Sequence, residues 1–166
     1  MYRLAGRLPF LPILLIATLG ATLSQASEYP KVTGFSAYLL NSQTGQLSRD
    51  VIEHNDALGN VPASNEFSSV STLVVVHVNL GPENTKKGQV QLEVTGGGAT
   101  FGLRRPISRK LLNHTSQMGP SAKDGTTHVG FWLDDTGCET LTLKATAIVG
   151  TKRASKEGTV GFACYE

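Results

Sequence analysis

The chain has 166 residues, of which 17% are charged, and its 15 basic and 13 acidic residues give a formal net charge of +2. Arg3 and Arg7 precede a predicted cleavage site, so the mature chain carries 13 basic and 13 acidic residues. Binding to nucleic acid or to an anionic membrane depends on a surplus of Lys and Arg. This balance therefore excludes nucleic acid as an expected partner.

The first 26 residues have the pattern of a cleavable secretory signal peptide. Two arginines form a positive start, an apolar stretch follows from Phe10 to Leu23, and Ser24-Gln25-Ala26 ends the segment with a small residue. The apolar stretch is shorter than the roughly 20 residues of a membrane-spanning helix, so we expect no stable membrane insertion after cleavage. Removing 26 of the 166 residues leaves 140, which predicts a single domain over 27–166, periplasmic or secreted.

Alternating apolar and polar residues predict short β-strands along the mature chain. In chain order the predicted strands are 32–40, a weak one at 47–52, 71–80, 89–95, 126–133, 141–149 and 160–164. The strand at 71–80 is apolar on both faces for part of its length, which predicts a central position covered on each side. Segments 53–69 and 107–123 lack the alternation and are predicted to be mainly loops. Seven to eight such strands, separated by Gly- and Pro-rich turns, favour an all-β antiparallel sandwich.

The two cysteines, Cys138 and Cys164, are predicted to form a disulfide in an oxidising compartment. Pairing Leu141 and Leu143 with Phe162 and Val160 points Cys164 to the core and leaves Cys138 in the turn before its strand. The bridge would then tie this turn to the end of the chain. Closing a loop of about 26 residues stabilises the fold by roughly 3 kcal/mol in the chain-entropy model.

Four positive side chains within seven residues form the candidate partner-binding or anion-binding patch: Arg104, Arg105, Arg109 and Lys110. Such a patch can bind an anionic surface, a phosphate-bearing glycan or an acidic partner. The alternative, which we favour, is a solvated sheet edge on which Arg, Lys and Pro prevent unwanted strand pairing.

Catalytic and metal-binding patterns are weak in this sequence. Asp135-Thr136-Gly137 matches the motif of retroviral-type aspartic proteases, but only 29 residues follow it, so we interpret it as a turn. His54, His77, His114 and His128 have no metal-site spacing, although His77 and His128 lie on predicted strands that can meet in space. We predict no enzyme activity, no metal and no cofactor.

Over residues 30 to 165 the strand number and alternation resemble an immunoglobulin-like or fibronectin-type sandwich, although Trp132 precedes both cysteines, unlike in antibody-type domains. The ending LDDTGCETLTLKATAIVG, followed by GTVGFACYE, is similar to that of small exported bacterial proteins of unknown function, and implies no activity. The leading hypothesis is a non-enzymatic extracytoplasmic binding module for a protein or surface polymer. The alternatives are a structural subunit of an envelope assembly, and a metal-binding protein or enzyme with a site assembled from distant strand residues.

Overall fold

A computed structural model of the chain describes residues 29–41, 44–54, 71–82, 87–97, 108–134, 136 and 140–161. These ranges contain seven strands and one short helix: β1 (Lys31–Leu39), α1 (Val51–His54), β2 (Thr72–Asn79), β3 (Gly88–Gly97), β4 (Ser108–Met118), β5 (Thr126–Leu133), β6 (Thr140–Val149) and β7 (Lys152–Val160). The strands form two antiparallel sheets, one in the order β1-β2-β5 and one in the order β4-β3-β6-β7. The predicted all-β class is confirmed. The predicted signal peptide lies outside the described residues.

The core lies between the inward faces of the two sheets. Alternate residues of β2 and β3 are fully buried, including Val74 and Val76 on β2 and Leu92 and Val94 on β3. Because side chains alternate across a strand, the period of two in the sequence becomes one apolar face per sheet. No helix within these ranges is long and apolar enough to span a membrane.

Strand β2 has the central position that its apolar sequence predicts, between β1 and β5. Its inward face is fully covered, whereas Leu73 and Val75 on its outward face are only half-buried. The predicted cover on both sides is therefore incomplete. This outward face consequently presents apolar side chains to solvent.

The prediction that residues 107–123 are mainly loop is wrong, because most of this segment forms strand β4. It pairs with β3 along its whole length, from Gly97 opposite Ser108 to Gly88 opposite Met118. Only Met118 of β4 is buried, because the strand lies at the edge of its sheet. A bulge, where the register shifts between Val94 and Thr95, further disturbs the alternation.

The weak strand predicted at 47–52 is also wrong, because this segment follows the free edge of β1 without forming a ladder. Leu47 makes an isolated bridge with Leu40. The backbone N–H of Leu39 donates to Ser48 Oγ at 2.9 Å, and that of Ala37 donates to Asp50 Oδ1 at 3.0 Å. Side chains thus supply the acceptors that a neighbouring strand would have supplied, which protects this edge.

The β6–β7 hairpin has a different register from the predicted one. Val160 lies opposite Leu141, and Gly158 lies opposite Leu143. The predicted pairing of Leu143 with Val160 is therefore wrong by two residues, although a shift of two keeps each side chain on its predicted face. Phe162 lies outside the described residues.

Candidate functional site

The outward face of the three-stranded sheet is unusual in its side chains, and we call it the outer face. The outward positions are Lys31, Gly34, Ser36 and Tyr38 of β1, Leu73, Val75, His77 and Asn79 of β2, and Thr126, His128, Gly130 and Trp132 of β5. Lys31, at one end of the face, is the single Asp, Glu, Lys or Arg among these twelve positions. Trp132 is 50% exposed, which is exceptional for so large an apolar side chain.

The other sheet presents a polar surface to solvent. Gln91 Nε2 donates to Asn113 Oδ1 at 2.9 Å, and Lys144 forms an exposed ion pair with Glu157 at 3.7 Å. Exposed ion pairs of this kind contribute little to stability and are ordinary surface features. The two sheets therefore differ, and the outer face is the surface that needs a functional explanation.

Two histidines meet on the outer face. The antiparallel register places His77 of β2 directly opposite His128 of β5. Their Nδ1 atoms are 2.8 Å apart, and their rings stand edge to face, with centroids separated by 4.8 Å. At this distance the two nitrogens share a proton in a hydrogen bond, because two facing lone pairs would repel each other.

The second nitrogen of His77 is also engaged. His77 Nε2 lies 2.9 Å from Ser36 Oγ, and the Ser36 hydroxyl is hydrogen-bonded in turn to the carboxylate of Asp50. Ser36 is only 7% exposed. His128, His77, Ser36 and Asp50 therefore form a continuous series of hydrogen bonds, which we call the polar chain.

Asp50 anchors the polar chain at the start of helix α1. As the N-cap residue, it accepts hydrogen bonds from the backbone N–H groups of Ile52, at 3.0 Å, and Glu53, in addition to that from Ala37. Burial alone would raise the pKa of Asp50, but the hydrogen bonds from Ser36 and these backbone groups outweigh it and lower the pKa. The carboxylate is therefore ionised at neutral pH and acts only as an acceptor.

An ionised Asp50 determines the direction of every hydrogen bond in the polar chain. Ser36 has one hydroxyl proton, which it donates to Asp50, so Ser36 Oγ accepts from His77 Nε2–H. His77 is then the tautomer with an unprotonated Nδ1, and this nitrogen accepts from His128 Nδ1–H. We therefore assign the direction as His128 to His77 to Ser36 to Asp50.

The pKa of His77 is lowered, first by burial and then by the charge of His128, while Asp50 acts in the opposite direction. His77 is consequently a neutral imidazole near pH 7. Asp124, an exposed carboxylate, also interacts electrostatically with His128. The site thus combines a neutral, oriented histidine with an exposed histidine.

The polar chain differs from the arrangement of a nucleophilic hydrolase. In a catalytic triad the carboxylate orients the imidazole, which then accepts the serine proton. Here Asp50 contacts Ser36 and draws its proton away from His77. What the site does offer is two imidazole nitrogens 2.8 Å apart, although no cluster of three or more metal-ligand side chains occurs among the described residues.

The structure places only part of the basic patch predicted from the sequence. Arg109 and Lys110 lie at the exposed start of β4, on the four-stranded sheet and not on the outer face. Arg104 and Arg105 lie outside the described residues, as do Cys138 and Cys164. A role for the patch and the disulfide both stay predictions.

Thr136, from the protease-like motif, is fully buried, and its Oγ1 lies 3.1 Å from Thr72 Oγ1 at the start of β2. A buried hydroxyl that is hydrogen-bonded to a neighbouring strand has a structural explanation. Asp135 and Gly137 lie outside the described residues, so the interpretation of the motif as a turn stays a prediction.

Sequence reasoning identified His77 and His128 as residues that could meet, but it missed Ser36 and Asp50. A signal for Asp50 was present: Asp50 followed three residues later by Glu53, around the apolar pair Val51-Ile52, is typical of a helix start. Ser36 had no comparable signal, because its contact with His77 spans 41 residues.

No protein-family model matches the chain, and a search of curated proteins finds no relative. The function is therefore inferred from the side chains of the outer face and their geometry.

Proposed function

We propose that this chain is an exported, non-enzymatic binding module that engages a protein through the outer face. The observation that carries the proposal is the composition of one end of this surface, where the aromatic and aliphatic side chains of Tyr38, Leu73, Val75 and Trp132 lie together. The charged residue of the face, Lys31, lies at the opposite end. Depletion of charged residues and enrichment of Tyr and Trp characterise the cores of protein–protein interfaces. Trp132 is exposed on an edge strand, and we expect it to contribute more to the binding free energy than any other residue of this surface.

The fold supports a binding module of the immunoglobulin-like or fibronectin type. Successive strands change sheets between β2 and β3, between β4 and β5 and between β5 and β6. Sandwiches with such crossing connections serve as interaction domains in many extracellular proteins. Export and a Cys138–Cys164 disulfide belong to the same proposal, because both fit a domain that works outside the cytoplasm.

A protein fits the outer face better than a surface polymer does. A glycan presents many hydroxyl groups and needs polar partners, yet the nitrogens of His77 and the hydroxyl of Ser36 are already bonded within the polar chain. Leu73 lies between the flanking aromatic residues Tyr38 and Trp132, in one cross-strand row. Val75 is the next outward residue of β2, so these four side chains give an apolar strip. Burying such a strip against another apolar surface is favourable in water.

The test replaces Trp132 and uses Leu47 as the matched control. Leu47 is 45% exposed and lies on the segment along the edge of β1, away from Trp132. We expect Trp132→Ser to weaken binding at least about 30-fold, as loss of a hot-spot side chain does, and Leu47→Ser to leave it unchanged. The partner is captured from the envelope or medium fraction of the source cells, identified, purified and titrated against each variant.

Equal affinity of the two variants for the purified partner would refute the proposal. The wild-type chain is also tested for binding to polymer from protease-treated extract. If it binds and Trp132→Ser does not, the partner of the outer face is a polymer and not a protein. A combined Ala variant at Arg104, Arg105, Arg109 and Lys110 tests the basic patch separately. If the affinity of that variant is unchanged, the patch does not bind the partner. The alternative function, prevention of unwanted strand pairing, would then remain for these residues.

A further inference from the structure

The two Nδ1 atoms of the histidine pair on the outer face are as close together as two ligands of one metal ion. The two Nδ1 atoms are 2.8 Å apart and belong to residues directly opposite each other on neighbouring strands. Two nitrogens that each bind one metal at about 2.0 Å are about 2.8 Å apart when the ligand angle is 90°, and about 3.3 Å apart at a tetrahedral angle. The observed separation, which is also that of the hydrogen bond between the two rings, equals the value for the 90° arrangement of tetragonal sites.

The remainder of the polar chain gives His77 the support that metal-bound histidines usually have. A ligating histidine typically donates its other ring N–H to an acceptor, which sets its tautomer and orients the ring. His77 Nε2–H donates to Ser36 Oγ, and Asp50 holds Ser36 from behind. The Nδ1 lone pair of His77 is thus free of a proton and directed at His128.

We propose that His77 and His128 bind one Cu²⁺ ion through their Nδ1 atoms. Imidazole suits copper, a tetragonal geometry is the one Cu²⁺ prefers, and Cu²⁺ binds most tightly among divalent first-row metals. The proton that the nitrogens share in the metal-free protein moves to Nε2 of the exposed His128, and water completes the coordination. This proposal does not rest on the proposed protein-binding function, although both histidines belong to the outer face.

The charged and titratable groups that interact with the pair are Asp50 and Asp124. Neither carboxylate is proposed as a ligand: Asp50 is reached through Ser36, and Asp124 accepts a hydrogen bond from the backbone of Thr126 at 2.9 Å.

The test titrates the purified, signal-cleaved chain with Cu²⁺, supplied as its glycine complex, and separately with Zn²⁺. We expect one equivalent of Cu²⁺ to bind, with an axial electron paramagnetic resonance spectrum that shows coupling to two imidazole nitrogens. His128→Gln should weaken Cu²⁺ binding at least tenfold and remove one nitrogen coupling. The matched control is His114→Gln, which replaces another exposed histidine on β4 of the other sheet and should leave binding unchanged.

Ser36→Ala tests the supporting contact and should weaken Cu²⁺ binding by about 10- to 100-fold, the usual effect of losing such a partner. Circular dichroism confirms that each variant is folded, and exposed His128 can be replaced without disturbing the core. The proposal is overturned if His128→Gln binds Cu²⁺ as wild type does with an unchanged spectrum. Tighter binding of Zn²⁺ than of Cu²⁺ would contradict the tetragonal assignment and also overturn it.

Discussion

Replacing Asp50 tests the contribution of a carboxylate that accepts several hydrogen bonds at once. Asp50→Ala removes the N-cap of α1, the acceptor for the edge N–H of Ala37 and the acceptor for the Ser36 hydroxyl. Asp50→Asn is the matched variant, because it keeps an oxygen that can cap the helix while losing the charge. Comparing the two separates the cap and edge contacts from the ionic contribution.

The expected cost of Asp50→Ala is worked from the two losses that concern backbone groups, the N-cap and the acceptor for Ala37. Loss of an N-cap costs about 1 kcal/mol. The backbone N–H of Ala37, a fully buried residue, loses its acceptor, which costs about 1 to 3 kcal/mol. We therefore expect a loss of about 2 to 4 kcal/mol in the free energy of unfolding at pH 7, and less than half of that for Asp50→Asn.

Urea unfolding followed by circular dichroism measures these differences at pH 7 and again below pH 4. The pKa of Asp50 is lowered in the folded protein, so its ionic contribution is fully present above the unfolded pKa of about 3.9 and is lost as the pH falls through the folded pKa. The stability difference between wild type and Asp50→Asn should thus shrink in acid. A cost of Asp50→Ala below about 0.5 kcal/mol, or a difference that grows in acid, would refute this reasoning.

Two further substitutions test the backbone and the histidine pair. Gly125 has a φ of 84°, and an added Cβ would lie 2.5 Å from the Gly81 carbonyl oxygen, so Gly125→Ala should cost more than about 2 kcal/mol in urea unfolding. The control Gly119→Ala meets no atom within 4 Å and should be nearly neutral, so equal costs would contradict the expectation. In metal-free protein His128→Gln removes a charge that lowers the pKa of His77, so an NMR titration should show that pKa rise towards its ordinary value; a fall would contradict the assigned cause.

How well the sequence predicted each strand depends on how much of the strand is buried. Strands β3, β5 and β6 each have one buried face and one more exposed face, so the period of two in their sequences predicted them as strands. Strand β4 has a partner on one side only and little contact with the core, so its pairing with β3 left almost no pattern in its residues. The turn at Gly150-Thr151 sets the β6–β7 register, and turn geometry outweighed the apolar match to Phe162.

The candidate site could be predicted from the sequence only in part, for a different reason. Alternation alone places His77 and His128 on the outward faces of their strands, but β2 and β5 are neighbours in space while β3 and β4 between them belong to the other sheet. Such long-range pairing is set by the whole arrangement of strands and leaves no local signal. The same holds for Ser36, whose position opposite Val75 became meaningful only when β1 was placed beside β2.

The two proposals concern different ends of the outer face and can fail separately. His128 and Trp132 are four residues apart on β5, which at about 3.3 Å per residue separates them by about 13 Å along the strand. Gly130 lies between them, and the side chain of Leu73 occupies the space beside it, since a Cβ there would lie 3.3 Å from Leu73 Cδ1. Among the described residues, the row between the two ends is formed by Ser36, Val75 and Gly130 and contains no His, Cys, Asp or Glu. Loss of copper binding in His128→Gln consequently says nothing against protein binding at Trp132, and loss of protein binding in Trp132→Ser leaves the copper site intact.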